Sequence, residues 1–190
     1  MARTKEFDPE AVLDAALELF WLRGYEATSM ADLVTHLGVG RASIYATYGS
    51  KHELYLKALE RYVRARDADL VRMLSQPGPV LPAIQALLRR YASQDEPRRG
   101  CLVVNAACEL LPGDAQVARQ VGASWEMLET ALASALTRAQ AQGELTADKD
   151  PRSLAQFLLI VLQGLRVAAK GGSHRGRLDA AIDQALSRLA

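Results

Sequence analysis

Cysteine, histidine and aromatic residues are all scarce in this chain, and each scarcity removes a class of explanation. Two cysteines in 190 residues are too few for a disulfide framework. The three histidines, His36, His52 and His174, are scattered, so no metal site is expected. Charge of one sign is lacking too. With 23 basic and 22 acidic residues the net charge is +1, and bulk charge argues for no polyanionic partner. The N-terminal stretch MARTKEFDPE has no apolar run of the kind that directs secretion. The most apolar stretch, residues 154–169, carries Gln156, Gln163 and Arg166 and falls short of the roughly 20 residues that span a bilayer. A cytoplasmic protein with no membrane partner is expected. No Ser/His/Asp set, paired carboxylates or glycine-rich phosphate loop stands out, so neither an enzyme nor a cofactor is expected.

What is present is helix. Apolar residues recur at helical spacing nearly everywhere, and no alternating pattern of strand length appears. Asp8-Pro9 pairs an N-cap carboxylate with a proline at the first helical position, and Gly24 ends the helix whose face is Leu13, Ala16, Leu17 and Phe20. A second helix opens at Thr28-Ser29, with Met30, Leu33, Val34 and Leu37 on one side, and breaks at Gly38-Val39-Gly40. A third runs over about 41–48. Ser50 caps a fourth that reaches about 75, and Pro77-Gly78-Pro79 stops it. The remaining helices are predicted at 80–93, 101–111, 114–142, 151–170 and 177–189. The class is all-α, with a small N-terminal unit at 1–52 and a larger helical unit at 53–190.

Two short helices joined by a tight glycine turn match a helix-turn-helix, in which the second helix enters the major groove of DNA. Val39 supplies a buried peg in the turn. Ile44 and Tyr48 can pack, while Arg41, Ser43 and Thr47 suit a groove. Residues 36–66 hold six basic residues (Arg41, Lys51, Lys57, Arg61, Arg64, Arg66) against Glu53 and Glu60, a local excess suited to a duplex or to a solvated helix face. On spacing alone, a plain three-helix packing unit fits equally well.

The wording of the segment favours the DNA reader. TSMADLVTHLGVGRASIYATYGSK, residues 28–51, closely resembles the DNA-binding signature of the tetracycline-repressor (TetR) family, and FWLRGYEAT, residues 20–28, resembles the end of that family's first helix. The match covers about residues 8–60; beyond it the resemblance is only in being helical. The resemblance implies a homodimer that binds double-stranded operator DNA and answers to a small-molecule effector. It places Thr28 and Ser29 at a phosphate-holding helix start, Arg41, Ala42, Ser43, Tyr45, Thr47 and Tyr48 on the recognition helix, and Lys51 as a phosphate-binding lysine. The chain departs from the family pattern at Gly40, which replaces a hydroxyl cap, at Ala46 and Thr47, and at Tyr48, where phenylalanine is usual.

The family's C-terminal half encloses an effector pocket and dimerises through its last two long helices. The stripes available here are Leu154, Leu158, Val161, Leu165 and Ala168, then Leu178, Ile182, Ala185, Leu186 and Leu189. Leu154, Leu158, Val161, Leu165, Ile182 and Leu186 are the expected interface, although an internal core helix is the alternative. Phe157, Ile160 and Leu162 leave the eighth helix apolar nearly all round, so it needs burial on several sides. Candidate pocket residues are Tyr91, Cys101, Asn105, Cys108 and Trp125. Asn105 is either a satisfied core amide or a group that orients an effector. Cys101, beside Arg98 and Arg99 at a helix start, is either an inert buried residue or a reactive thiol that releases DNA when modified. Cys108, about two turns deeper among apolar neighbours, is expected to react more slowly. The two lie roughly 10 Å apart along one helix at 1.5 Å per residue, too far to bond. A helical enzyme and a protein-interaction adaptor with a vestigial helix-turn-helix are the rival functions.

Overall fold

The computed structural model describes residues 7–93 and 99–189. Nine helices and no strand lie among them: α1 (Pro9–Arg23), α2 (Met30–Leu37), α3 (Arg41–Tyr48), α4 (Lys51–Leu74), α5 (Val80–Ala92), α6 (Leu102–Leu110), α7 (Ala115–Ala141), α8 (Pro151–Lys170) and α9 (Arg175–Ser187). Most boundaries follow local chemistry. Asp8, Ser29, Ser50, Asp114 and Asp150 each accept backbone N–H bonds at the start of the helix they precede, and each such cap is worth about 1 kcal/mol. The α5 start has Pro79 in the capping position and no side-chain cap of its own. Glu144 supplies it from across the chain, accepting from the Val80 and Leu81 N–H groups. Gly38 ends α2 in the left-handed region, at φ 64°, where a side chain would be strained.

Two apolar cores result. The first gathers α1, α2, α3, the first half of α4, α6 and the start of α7 around Phe20, Leu33, Ile44, Leu54, Tyr55 and Leu59. Phe20 meets Tyr55 edge-on at 5.1 Å. On α1 the buried face is Val12, Ala16, Leu19 and Phe20; Leu13 and Leu17, expected inside, are half-buried at its margin. The second core joins the end of α4 to α5, α7, α8 and α9. Helices α4 and α7 pass through both cores, and Trp125 packs against both.

Helix α8 corrects two expectations. It runs for 20 residues and is long and apolar enough, by length and composition alone, to cross a membrane; the interrupting Gln and Arg residues do not shorten it. Its stripe is also turned. Leu158 and Leu165 are buried within the protomer, as is Ile182 on α9, because these residues fill the space between α8, α5, α7 and α9. They therefore belong to the protomer's own core and cannot form its interface with a partner. Leu154, Val161 and Leu186 are half-buried at the edge of that core. The face left open is instead Phe157, Ile160 and Val167, exposed to 41%, 70% and 53%.

Candidate nucleic-acid interface and effector cleft

The α2–α3 unit is held from behind. Leu33, Val39, Ile44 and Tyr48 are buried in the first core, which leaves Arg41, Ala42, Ser43, Tyr45 and Ala46 on the open side of α3, with Thr47 half-exposed. Arg41 donates to the Tyr45 hydroxyl at 3.3 Å, and its guanidinium lies 5.6 Å from the Tyr45 ring, so the two form one protruding pair. Lys51, half-buried, places its ammonium 4.1 Å from the Tyr25 ring, which orients it at the start of α4.

Two residues expected at DNA lie elsewhere. Thr28 is fully buried and its hydroxyl donates to the Gly24 carbonyl at 2.6 Å. Tyr48 is buried and its hydroxyl donates to the Pro9 carbonyl at 2.6 Å; that bond supplies the partner its extra oxygen needs. Both brace the unit from within, so neither meets a phosphate. Ser29 is exposed, but its hydroxyl and N–H are engaged with Asp32 in a reciprocal capping box. The Ser29 bonds hold the Asp32 carboxyl below its ordinary value, with a smaller contribution from Arg23.

The basic excess of residues 36–66 is smaller than its count. Arg61 pairs with Glu10 and Asp14, Arg64 with Glu60, and Arg66 with Asp67. Arg41, Lys51 and Lys57 have no carboxylate partner among the described residues.

The helix-turn-helix is tied to the rest of the chain by two carboxylates. Glu109, in the last turn of α6, accepts from the Tyr25 and Glu26 N–H groups at 3.0 and 2.8 Å. That approach needs glycine at position 24, where φ is 88° and a Cβ would stand 2.9 Å from the Glu109 carboxylate. Asp114 caps α7 and also meets His52 of α4 at 2.5 Å. The Val117 N–H bond holds the Asp114 carboxyl below its usual range; desolvation opposes it, and His52 and the Gln116 N–H bond add to the lowering. Sequence reading missed Glu109, although an acid in the last turn opposes the helix dipole and so signals a partner elsewhere.

Of the predicted pocket residues, Cys101, Asn105 and Cys108 line one cleft of about 620 Å³ with Trp21, Val104 and Arg166. Tyr91 and Trp125 are not part of its lining. Tyr91 lies under Arg166, whose guanidinium is 4.3 Å from the ring, and Trp125 spans the two cores. Asn105 has both amide ends engaged, donating to the Arg99 carbonyl at 2.9 Å and accepting from Lys170 at 2.8 Å.

The arginine beside Cys101 is Arg66, at 3.7 Å from the sulfur. Arg99 instead pairs with Glu18 and lies over Trp21, and Arg98 falls outside the described residues. Accessibility is also the reverse of expectation: Cys101 is 2% exposed, whereas Cys108 is open to solvent. No group of three or more possible metal ligands occurs among the described residues.

Comparison with known proteins agrees over the whole chain. Residues 12–58 match the model of bacterial regulatory proteins of the tetR family, and residues 79–185 match a tetracyclin repressor-like C-terminal domain. An uncharacterized HTH-type transcriptional regulator of Bacillus subtilis, YezE, is 38% identical over all of both chains. The HTH-type transcriptional repressor ComR of Escherichia coli is 33% identical over 93% of this chain and 86% of its own. Among solved structures, a cysteine-substituted TetR family regulator, CifR, in complex with 26-base-pair operator DNA is 33% identical, covers both chains fully and superposes with a TM-score of 0.86. The chain therefore belongs to the TetR family of bacterial regulatory proteins and is a transcriptional regulator rather than an enzyme.

Proposed function

We propose that this regulator is a cytoplasmic homodimeric repressor that holds operator DNA with one α3 helix per protomer and releases it when a small molecule occupies its C-terminal half. The observation that carries this reading is the two-sidedness of α3. Ile44 and Tyr48 lock it to the core, while Arg41, Ala42, Ser43 and Tyr45 stand clear with small or hydrogen-bonding groups. Such a helix can enter a major groove without deforming its own support. Phosphate contacts then fall to Lys51 and to the exposed start of α2 around Ser29. The DNA-bound relative CifR and the repressor ComR support the same reading.

Dimerisation uses the open face of α8. Phe157, Ile160, Val161, Gly164 and Val167 recur at helical spacing on its outer side, and Gly164, which has open space beside it, lets a second helix approach closely. An exposed apolar face in a chain of this class is matched by its own copy across a two-fold axis. Two heads joined this way reach half-sites about 34 Å apart, one turn of DNA.

The link from ligand to DNA runs through α6. Val104, Asn105 and Cys108 wall the cleft, and Glu109 in the last turn holds the Tyr25 and Glu26 amides. A ligand that binds better when α6 is displaced lowers DNA affinity by the same coupling energy. Ligand binding is favoured over modification of Cys101 as the trigger, because only 2% of Cys101 is exposed.

A gel-shift competition with the gene's own upstream DNA tests the proposal. Retardation that yields to unlabelled specific DNA but not to random DNA is the expected result. Equal competition by both would reject sequence-specific binding.

A further inference from the structure

The polar groups where α4, α5, α7 and α8 meet do not balance one another. Arg66 pairs with Asp67 at 2.8 Å, donates to the Ser124 hydroxyl and reaches the Cys101 sulfur. Arg166 has no such arrangement. It has no carboxylate partner among the described residues, and its Nε is buried without a hydrogen bond. Tyr91, 3% exposed, has a hydroxyl with no partner, and the Trp125 Nε1 and the Gln163 amide are buried in the same condition. Buried polar groups are ordinarily satisfied, so orphaned atoms grouped in this way call for a partner. Burial keeps the Tyr62 and Tyr91 hydroxyls protonated well above neutral pH.

Arg166 also lines a second cleft, of about 750 Å³, on the side facing α1 and α4. Within that cleft Arg61 is already paired with Asp14, and Arg90 with Asp69. Lys170 reaches only the neutral Asn105 amide. Among the described residues the uncompensated charge is therefore positive and centred on α8, while the rest of the wall includes Leu17, Trp21 and Tyr62, the last two meeting edge to face at 5.0 Å.

We propose that this cleft takes a small organic acid, its carboxylate paired with Arg166 and its apolar body against Trp21, Leu17 and Tyr62. A planar guanidinium matches a carboxylate in two parallel bonds, and the half-buried Arg166 guanidinium, with no carboxylate partner among the described residues, offers that match to one negative charge. A neutral ligand would leave it uncompensated. The inference names the effector class for the regulator proposed above and rests on that reading, but seats the effector in this second cleft instead of the one walled by α6. Its consequence for DNA follows from position. Trp21 of α1 donates to the Gly100 carbonyl at 3.0 Å, so an acid seated against Trp21 bears on both the DNA-reading unit and the approach to α6.

Calorimetry and thermal melting of the full chain without DNA test the assignment, using benzoate and hexanoate against benzamide and hexanamide, with inorganic phosphate as a further arm. The acids bind and raise the melting temperature; the amides and phosphate do not. Arg166→Gln weakens acid binding by about tenfold or more, and Arg166→Lys retains part of it. Equal binding of acids and amides, a response to phosphate alone, unchanged affinity in Arg166→Gln, or no binding by either acid would overturn it. Should Arg166→Gln fail to fold, the wild-type comparison of acids with amides and the Arg166→Lys variant decide. DNA binding measured with no acid present tests the regulator reading separately, so either can fail alone.

Discussion

Single side chains on the DNA-reading unit divide by what holds them. Arg41 stands free on α3 with Tyr45, whereas Lys51 is steered by the Tyr25 ring. Arg41→Ala is expected to relax preference at one base pair, at a cost of roughly 1–3 kcal/mol on the specific site if its contact is bidentate. Lys51→Ala should weaken binding to all DNA alike and reduce the salt slope by about one contact. Anisotropy titrations on specific and random duplexes at several salt concentrations separate the two, and identical losses on both duplexes would remove the distinction. The cysteines invite a parallel comparison. Iodoacetamide is expected to label Cys108 well before Cys101, because the first is exposed and the second buried beside Arg66. Mass mapping of the modified peptides reads the order directly. Faster labelling of Cys101 would restore it as the responsive thiol. The sequence misled here because a neighbour in the chain, Arg99, points to Glu18, while the arginine that reaches the sulfur comes from a helix 35 residues earlier.

Among the helices, α8 carries the sharpest test. Leu158 and Ile160 are two residues apart and equally apolar, yet one faces the protomer's core and the other solvent. Ile160→Asp should leave a folded protomer that sediments as a monomer and loses operator affinity. Leu158→Asp buries a charge among α5, α7 and α9 and should instead unfold the C-terminal half, at a cost of several kcal/mol. A normal dimer for Ile160→Asp would move the interface elsewhere. Periodicity located α8 and showed that it was apolar almost all round. It could not say which stripe faced inward, because that depends on how α5 and α9 cross it. Caps were the most legible features. Asp8-Pro9, Ser29 and Ser50 act over two or three residues and need no tertiary knowledge. Glu144 at the start of α5 and Glu109 at Tyr25 act across more than 60 residues, and no local pattern announces them. Across the α2–α3 unit the same divide appears: the order of buried and open positions on α3 follows from helical spacing, but Thr28 and Tyr48 turn inward to carbonyls the spacing cannot reveal.

For the molecule as a whole, tyrosine burial sets an alkaline limit. Burial raises the pKa of Tyr48, Tyr55, Tyr62 and Tyr91, Tyr55 most plainly within the first core. A group whose folded pKa is raised lends stability that is complete below its unfolded value, near pH 10 for tyrosine, and is lost as pH climbs through the folded value. Chemical denaturation midpoints should therefore hold steady on the approach to about pH 10 and fall above it, with tyrosine ionisation and loss of helix rising together. Phenolate absorbance that develops fully while helix content stays constant would show these rings to be more accessible than their packing implies. The two cores, the open α3 and the outer face of α8 belong to one account, in which a dimer presents two reading heads at a fixed spacing. Footprinting of the purified protein on its own upstream DNA, with the stoichiometry measured on the same fragment, tests that account most directly. It predicts two protected half-sites in inverted repeat, centred about one helical turn apart, with the two protomers of one dimer occupying the pair. A single asymmetric half-site filled by one chain, or no protection above that on random DNA, would contradict it.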